Sequence, residues 1–426
     1  MSGVSVRGIQ FQVSNFKFLN VVSHEVPTLK IQEDSPAHLT YCLNVHPGET
    51  WEENFEAIRT VALKIRERVA PSRPFGLGLR LGHLAAKTLT DNETLKSFKI
   101  FLEENHLYVF TINGFPYGEF HKAPVKERVY RPDWRSPKRL KYTIQLADIL
   151  SKLIPEGVSG SISTVPGSYK EWILTESDKT EMVHNLMTCV AHLAHIQEKT
   201  GKEIHLALEP EPDCFLETTE ETVAFFTRDL HGEGKRYLAG LTGASETETD
   251  KMITRHLGVC FDTCHMSLQF ENLSESISLL TKHGIRLSKI QISAALKTNC
   301  SDRALKRLQD FCDPVYLHQV KARKGNNEIR SYGDLPTALS FKDTLNRSGE
   351  EWRIHFHVPL YFPGNEDLKS TRTDIEPGFF EKAIACGCDH FEIETYTFDQ
   401  FPENLTKKDL VQSFADEYEW VIDRMQ

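Results

Sequence analysis

From Leu39 onward, short apolar runs alternate with stretches of helical periodicity almost to the end of this 426-residue chain. Runs this short, bounded by turn residues, read as interior strands rather than buried helices. Strands that alternate with helices require a parallel sheet. Strands are expected at Leu39–Val45, Phe75–Leu81, Leu107–Ile112, Gly160–Val165, Ile204–Leu208, Leu257–Phe261, around Ile290–Ile292, at Arg353–Val358 and at Phe391–Ile393. Helices are expected at Trp51–Val69 behind Thr50 as N-cap, through Leu95–Leu102 behind Thr90 or Asp91, at Lys138–Leu153, at Asp178–Lys199 and at Glu220–Leu230. A polar, glycine-containing insertion at 232–250 follows, and an amphipathic helix from Lys407 closes the chain. Nine strands are one more than an eight-stranded barrel takes. The segment 298–350, with Tyr316–Val320 and Gly325-Asn326-Asn327, reads as an inserted hairpin and the source of the excess. Residues 1–38, broken by Pro27 and Pro36, are expected to be an N-terminal extension, with 39–426 forming the barrel domain.

Composition narrows the partners. A formal net charge of -10 without a long basic run argues against nucleic acid or an anionic membrane surface. Small anionic ligands remain open, since one Arg can hold them. Nine cysteines show neither a paired framework nor zinc-finger spacing, and read as free thiols of a reducing compartment. No apolar stretch is long enough to span a bilayer, and the N-terminus lacks a secretory pattern. The expectation is a cytoplasmic protein acting on a small-molecule metabolite; the sequence leaves homo-oligomerisation open.

The strand ends carry the chemistry. Glu209 follows His-Leu-Ala-Leu, Asp262 follows Gly-Val-Cys-Phe, Gln291 lies within Lys-Ile-Gln-Ile-Ser, and Glu394 follows Phe-Glu-Ile. All would sit on the barrel face where α/β enzymes keep their active sites. His355 and His357 share one face of another strand, and His265 falls three residues after Asp262. Acids with an imidazole or amide oxygen suit Mn²⁺, Mg²⁺, Co²⁺ or Zn²⁺. The plainer reading makes Asp262 a helix cap, Glu209 a solvating group at the barrel mouth and His355 a satisfied core residue. Three acids ending three apolar strands weigh against it. His46, Asn113, Phe115, Tyr117 and Trp134 follow strands on the same face and are candidates to line a substrate cleft. Lys126, Arg128, Arg131 and Arg135 could clamp an anion, although such charges more often form a solvated surface.

Leu-Ala-Leu-Glu209-Pro, Asp262-Thr-Cys-His265-Met and Glu394 resemble the xylose isomerase-like TIM barrels of the sugar isomerase and epimerase group. That resemblance implies a (β/α)8 barrel in which Glu209, Asp262 and Glu394 bind metal. It also implies that His265 contacts substrate and that Glu209 and Glu394 act as the acid/base pair. The group's fourth ligand is a His where this chain has Gln291, so either Gln291 ligates through its amide oxygen, His357 replaces it, or the site binds metal poorly. Longer motifs resemble the EboE-type metabolite-traffic proteins of the same barrel group. These are Tyr41-Cys42-x-Asn44-x-His46-Pro47-Gly48-Glu49-Thr50-Trp51, Thr111–Gly118, Ser161–Gly167, Leu208–Pro212 and Glu394–Thr397.

Two classes of function stand on these residues. One is a metal-dependent isomerase or epimerase acting on a sugar-like or hydroxy-carbonyl metabolite. The other is a metabolite-binding or carrier protein that keeps the barrel pocket without turnover, the reading that Gln291 favours. A metal-dependent endonuclease is disfavoured by the charge and by the scarcity of strand-end histidines.

Overall fold

Eight strands lie parallel in one sheet: β1 (His38–Tyr41), β2 (Phe75–Arg80), β3 (Leu107–Asn113), β4 (Gly160–Thr164), β5 (Ile204–Leu208), β6 (Leu257–Asp262), β7 (Arg286–Ile292) and, last in the chain, His390–Ile393. The computed structural model describes residues 37–118, 126–325, 328–340, 349–398 and 408–425. Between β7 and the last barrel strand come five more strands: β8 (Ala295–Thr298), β9 (Val320–Arg323), β10 (Arg330–Tyr332), β11 (Glu351–His357) and β12 (Lys369–Ser370). The final barrel strand is therefore β13. The barrel order is β1-β13-β7-β6-β5-β4-β3-β2. Its two ends meet through a parallel bridge between Cys42 and Gly78, and Thr40 Oγ1 donates to Gly76 O at 2.8 Å and accepts from Gly78 N at 2.9 Å. The fold is thus an eight-stranded parallel α/β barrel.

That closure depends on Gly78. A Cβ there would collide with the Glu392 carboxylate and stand 2.8 Å from Tyr41 O. Gly78→Ala is expected to destabilise the protein by about 1–3 kcal/mol through overpacking, read as a lower urea midpoint with unchanged slope.

Local sequence sets the helices. Thr50 with Glu53, Thr175 with Asp178, Thr218 with Glu221 and Ser245 with Glu248 each form a capping box. Asp91, not Thr90, caps the helix over Asn92–Glu104. The stretch at 232–250, expected as a polar insertion, is largely helical. A wide-turn segment Phe225–Gly234 runs into Lys235–Thr242, Gly243 ends it at φ 72°, and Ser245 starts Glu246–His256. Buried Leu238 and Ile253 hold these helices to the barrel. The closing helix is Leu410–Met425, with Phe414, Tyr418 and Val421 buried.

The ninth expected strand is explained differently from the sequence expectation. Arg353–Val358 falls on β11, which belongs to a separate antiparallel sheet of order β10-β9-β11-β8-β12. The insertion therefore spans Ala295–Ser370, wider than 298–350, and the expected hairpin is its edge pair β9–β10. Strand alternation divides β11. Trp352, Ile354 and Phe356 are fully buried in the core, whereas His355 and His357 turn toward the barrel mouth. β1 begins at His38, one residue inside the expected extension, while residues 1–36, Asn326, Asn327 and Lys407 lie outside the described residues. No helix among the described residues is long and apolar enough to cross a membrane.

Candidate metal centre

Parallel strands bring all their carboxyl ends to one face of a barrel. Glu209 follows β5, Asp262 ends β6 and Glu394 follows β13, so residues distant in sequence meet there. One oxygen from each of the three lies within 4.8 Å of the others.

Asp262 serves two purposes. Its Oδ1 accepts from the His265 amide at 3.0 Å and the Ser293 hydroxyl at 2.7 Å, capping the helix Thr263–Leu268. Its Oδ2 is buried with no hydrogen-bond partner, as is Glu209 Oε2. Glu394 Oε1 receives the side-chain amides of Asn44 at 2.7 Å and Asn113 at 3.1 Å. His357, delivered by β11, places Nδ1 2.6 Å from Glu394 O. A carbonyl only accepts, so Nδ1 carries the proton and Nε2 is left as a buried, unpartnered lone pair. Buried polar atoms are rarely left without partners. Here three of them, on two acids and one imidazole, cluster around Asp262, and their chemistry fits a divalent cation.

The electrostatics agree with that fit. Burial, then repulsion from Asp262 and Glu211, pushes Glu209 well above the usual carboxylate range. Burial, then Glu209 and Asp262, does the same to Glu394. Burial also opposes ionisation of Asp262, but His265, His357, the Ser293 hydroxyl and the His265 amide together hold it low. Burial lowers His357 despite the pull of Asp262, so the ring is neutral. One ionised acid, two acids raised by crowding and one neutral imidazole form a site that a positive charge would relieve.

Gln291 lies in register with Asp262 and Glu392, beneath the mouth. Its Oε1 accepts the Cys260 thiol at 3.0 Å, and its Nε2 has no partner. His265 directs Nδ1 to Pro210 O at 2.9 Å. Deeper in the barrel, Lys289 and Glu392 form a buried ion pair at 2.5 Å.

A cavity of about 60 Å³ opens above the acids, lined in part by Asn113, Phe115, Tyr130, Tyr316 and Tyr396. Of the five residues expected to line a substrate cleft, the structure brings Asn113 and Phe115 to it and not the other three. His46 bonds through Nε2 to the Tyr41 hydroxyl at 2.9 Å. Trp134 is wholly buried with Nε1 on Thr164 Oγ1. Tyr117 stacks on His83, 4.4 Å between ring centres, beside an open surface hollow of about 1140 Å³ that contains none of the strand-end acids. The buried Arg139 guanidinium grips Gly114 O and Phe115 O, which turns Phe115 inward and carries Tyr117 away. Of the four cationic residues in this loop, Lys126 reaches the cavity, but its ammonium is taken by Asp313 O, Tyr316 O and Asp334.

Sequence reasoning passed over Glu211, Asn44 and Tyr130 as site residues and placed His355 beside His357 without giving it a role in the site, yet all four line the cavity. The signals were present. Glu211 follows Glu209 by two residues, and His355 shares the β11 face of His357.

No family model matches the chain, and no curated protein matches it. Among solved structures, it is similar to the probable 3-DHS dehydratase AsbF involved in petrobactin synthesis from Bacillus anthracis. That match has 12% identity over 91% of this chain and 99% of that one, with a TM-score of 0.45. It is similar also to the 3-keto-D-glucoside 4-epimerase YcjR from E. coli, at 12% identity over 90% and 98%, TM-score 0.42. A third is the IolI protein with a binding zinc atom, at 12% identity over 91% and 97%, TM-score 0.42. These likenesses concern the fold.

Proposed function

We propose that the chain is a metal-dependent isomerase or epimerase of a sugar-like or hydroxy-carbonyl metabolite. The observation that carries this reading is the buried cluster of Glu209, Asp262, Glu394 and His357 with three lone-pair atoms left unsatisfied. These four residues would hold the cation, with His357 in the fourth position because the Gln291 oxygen is already engaged by Cys260. Mn²⁺, Co²⁺, Zn²⁺ and Mg²⁺ all suit such oxygen-rich donors. When bound, the cation supplies a fixed positive charge for a carbonyl or hydroxyl oxygen of the substrate.

The proton chemistry belongs to the protein. Glu209 and Glu394 stand on different strands on either side of Asp262, both raised well above the usual carboxylate range by burial. Raised carboxylates of this kind suit proton transfer at neutral pH. One takes the proton from the carbon next to the carbonyl, and the other returns a proton to the neighbouring atom or the opposite face. Asn44 and Asn113 fix the Glu394 carboxylate by holding Oε1. Phe115, Tyr130 and Tyr396 screen the mouth from water. A role in metabolite traffic rests on the motif resemblance around Leu208–Pro212 and Glu394–Thr397.

The test is elemental analysis of protein purified without added metal or chelator, for the wild type and Asp262→Asn. The wild type should carry a near-stoichiometric divalent cation in the carboxylate site. Asp262→Asn keeps the helix cap but lowers that site's affinity by on the order of a hundredfold or more. No cation in the wild type, even after soaking with Mn²⁺ or Zn²⁺, would replace this reading with that of a metal-free metabolite carrier.

A further inference from the structure

The carboxylate site leaves a second feature of the mouth unexplained. His265 and His355 bring their Nε2 atoms to 3.1 Å, with ring planes at 88°. Neither atom carries a hydrogen to share. His265 Nδ1 faces Pro210 O at 2.9 Å and must donate to it. His355 Nδ1 lies 2.8 Å from Gln319 Oε1. That amide cannot be turned round, because its Nε2 donates to Pro212 O at 3.2 Å. Both rings therefore hold their protons on Nδ1, and two bare lone pairs confront each other in a dry site. A proton between them would relieve the clash. Both rings are buried, and burial disfavours the charged imidazolium that this would create.

A cation relieves the clash without an imidazolium. With metal–nitrogen bonds of about 2.0–2.1 Å, two ligating nitrogens lie about 2.9 Å apart at a right angle and about 3.4 Å apart at the tetrahedral angle. The observed 3.1 Å falls between these. A third donor is in place: a Glu211 oxygen lies within 4.8 Å of one ring nitrogen of each histidine. The Tyr130 hydroxyl orients the same carboxylate, donating to Oε1 at 2.9 Å. The carbonyl or amide behind each imidazole is the outer support that metal-ligating histidines typically have.

We propose that the barrel mouth holds a second divalent cation, of the zinc or cobalt class, bound by His265 Nε2, His355 Nε2 and Glu211. Two imidazoles and one carboxylate with an open fourth position favour this class over Mg²⁺. The carboxylate-rich site beside it is the better home for Mn²⁺ or Mg²⁺. Asp262 Oδ1 lies 4.0 Å from His265 Nε2, so the two sites share a wall. The inference rests on reading the mouth as a cation centre, and it makes that centre binuclear, with one ligand from the inserted sheet.

The test is titration of chelator-stripped, full-length protein with Co²⁺, following bound metal by elemental analysis after desalting and ligand type by visible absorption. The wild type should take two equivalents. His355→Ala and Glu211→Gln should each bind the second equivalent at least about tenfold more weakly, so that one remains after desalting, with loss of the absorption that the two-histidine site adds to that of the carboxylate site. Asp262→Asn should keep that absorption and lose the other equivalent. Glu211→Gln retains an acceptor for Tyr130 and serves if His355→Ala does not fold. One equivalent in the wild type that persists unchanged in both variants would overturn the second site and leave the first standing. One equivalent lost in both variants but retained in Asp262→Asn would keep the histidine site and overturn the carboxylate site. No bound Co²⁺ in the wild type would overturn both.

Discussion

Glu209→Gln is expected to lower isomerisation by about 10³-fold, the scale of losing a positioned general base, while the protein still folds. Burial and the nearby acids raise the Glu209 carboxyl, and its Oε2 has no protein partner, so the fold places no structural demand on its charge. The amide is nearly isosteric and cannot ionise within the crowded cluster. The melting temperature of the metal-free protein should accordingly rise or hold. The measurement is turnover of the first sugar or hydroxy-ketone found to be isomerised, at saturating metal, beside a thermal melt. Loss of turnover with an intact melt supports the base role. Wild-type turnover would remove Glu209 from the chemistry and leave the proton transfer to Glu394 alone.

Much of this site was legible because parallel strands deliver their last residues to one face. Glu209, Asp262 and Glu394 each end or follow a short apolar run, and that placement alone predicts their meeting. What was not legible depends on long-range docking. His355 and His357 lie on a strand whose apolar residues alternate like those of a half-buried antiparallel sheet, yet it was counted with the barrel. Its partners β8 and β9 are four residues each, too short to stand out as strands. The position of Tyr117 turned on Arg139, a buried guanidinium from the next helix that takes carbonyls no local pattern announces. The two candidates for the fourth ligand were equal in sequence. The Cys260 thiol lies on the Gln291 oxygen, while the Glu394 carbonyl fixes the His357 tautomer and bares Nε2, which is why the proposed reading takes His357.

The same burial makes the stability of the metal-free protein strongly dependent on pH. Glu211 is pushed up to about 8 by burial, against the Tyr130 hydrogen bond. Glu417 is also pushed up to about 8 by burial, against the Leu360 amide and Thr395 hydroxyl. Glu209 and Glu394 are raised as well. A carboxyl raised in the native state binds its proton more tightly there than in the unfolded chain. For Glu211 and Glu417 that contribution is complete below pH 4.5 and is lost as pH climbs through about 8. Histidines work from the other side. Burial lowers His256 and His265 to about 4, so their contribution is present above pH 6.5 and is lost as pH falls toward 4. Above pH 6.5, where the histidine contribution is complete, the raised acids act alone, so metal-free protein should lose stability as pH rises to 8.5, at about 1.4 kcal/mol per unit of pH for each proton released. A bound cation takes the place of the protons on Glu209, Glu394 and Glu211, so affinity should climb at least about tenfold per pH unit over this range. Added Zn²⁺ or Mn²⁺ should therefore raise the melting temperature by several degrees more at pH 8 than at pH 6. Glu417→Gln should remove part of the alkaline slope without changing the metal response, because Glu417 lies outside the proposed ligand set. A metal-induced shift that is the same at both pH values would mean that the cation displaces no proton from these acids. Their raised carboxyls would then have to be explained by packing alone.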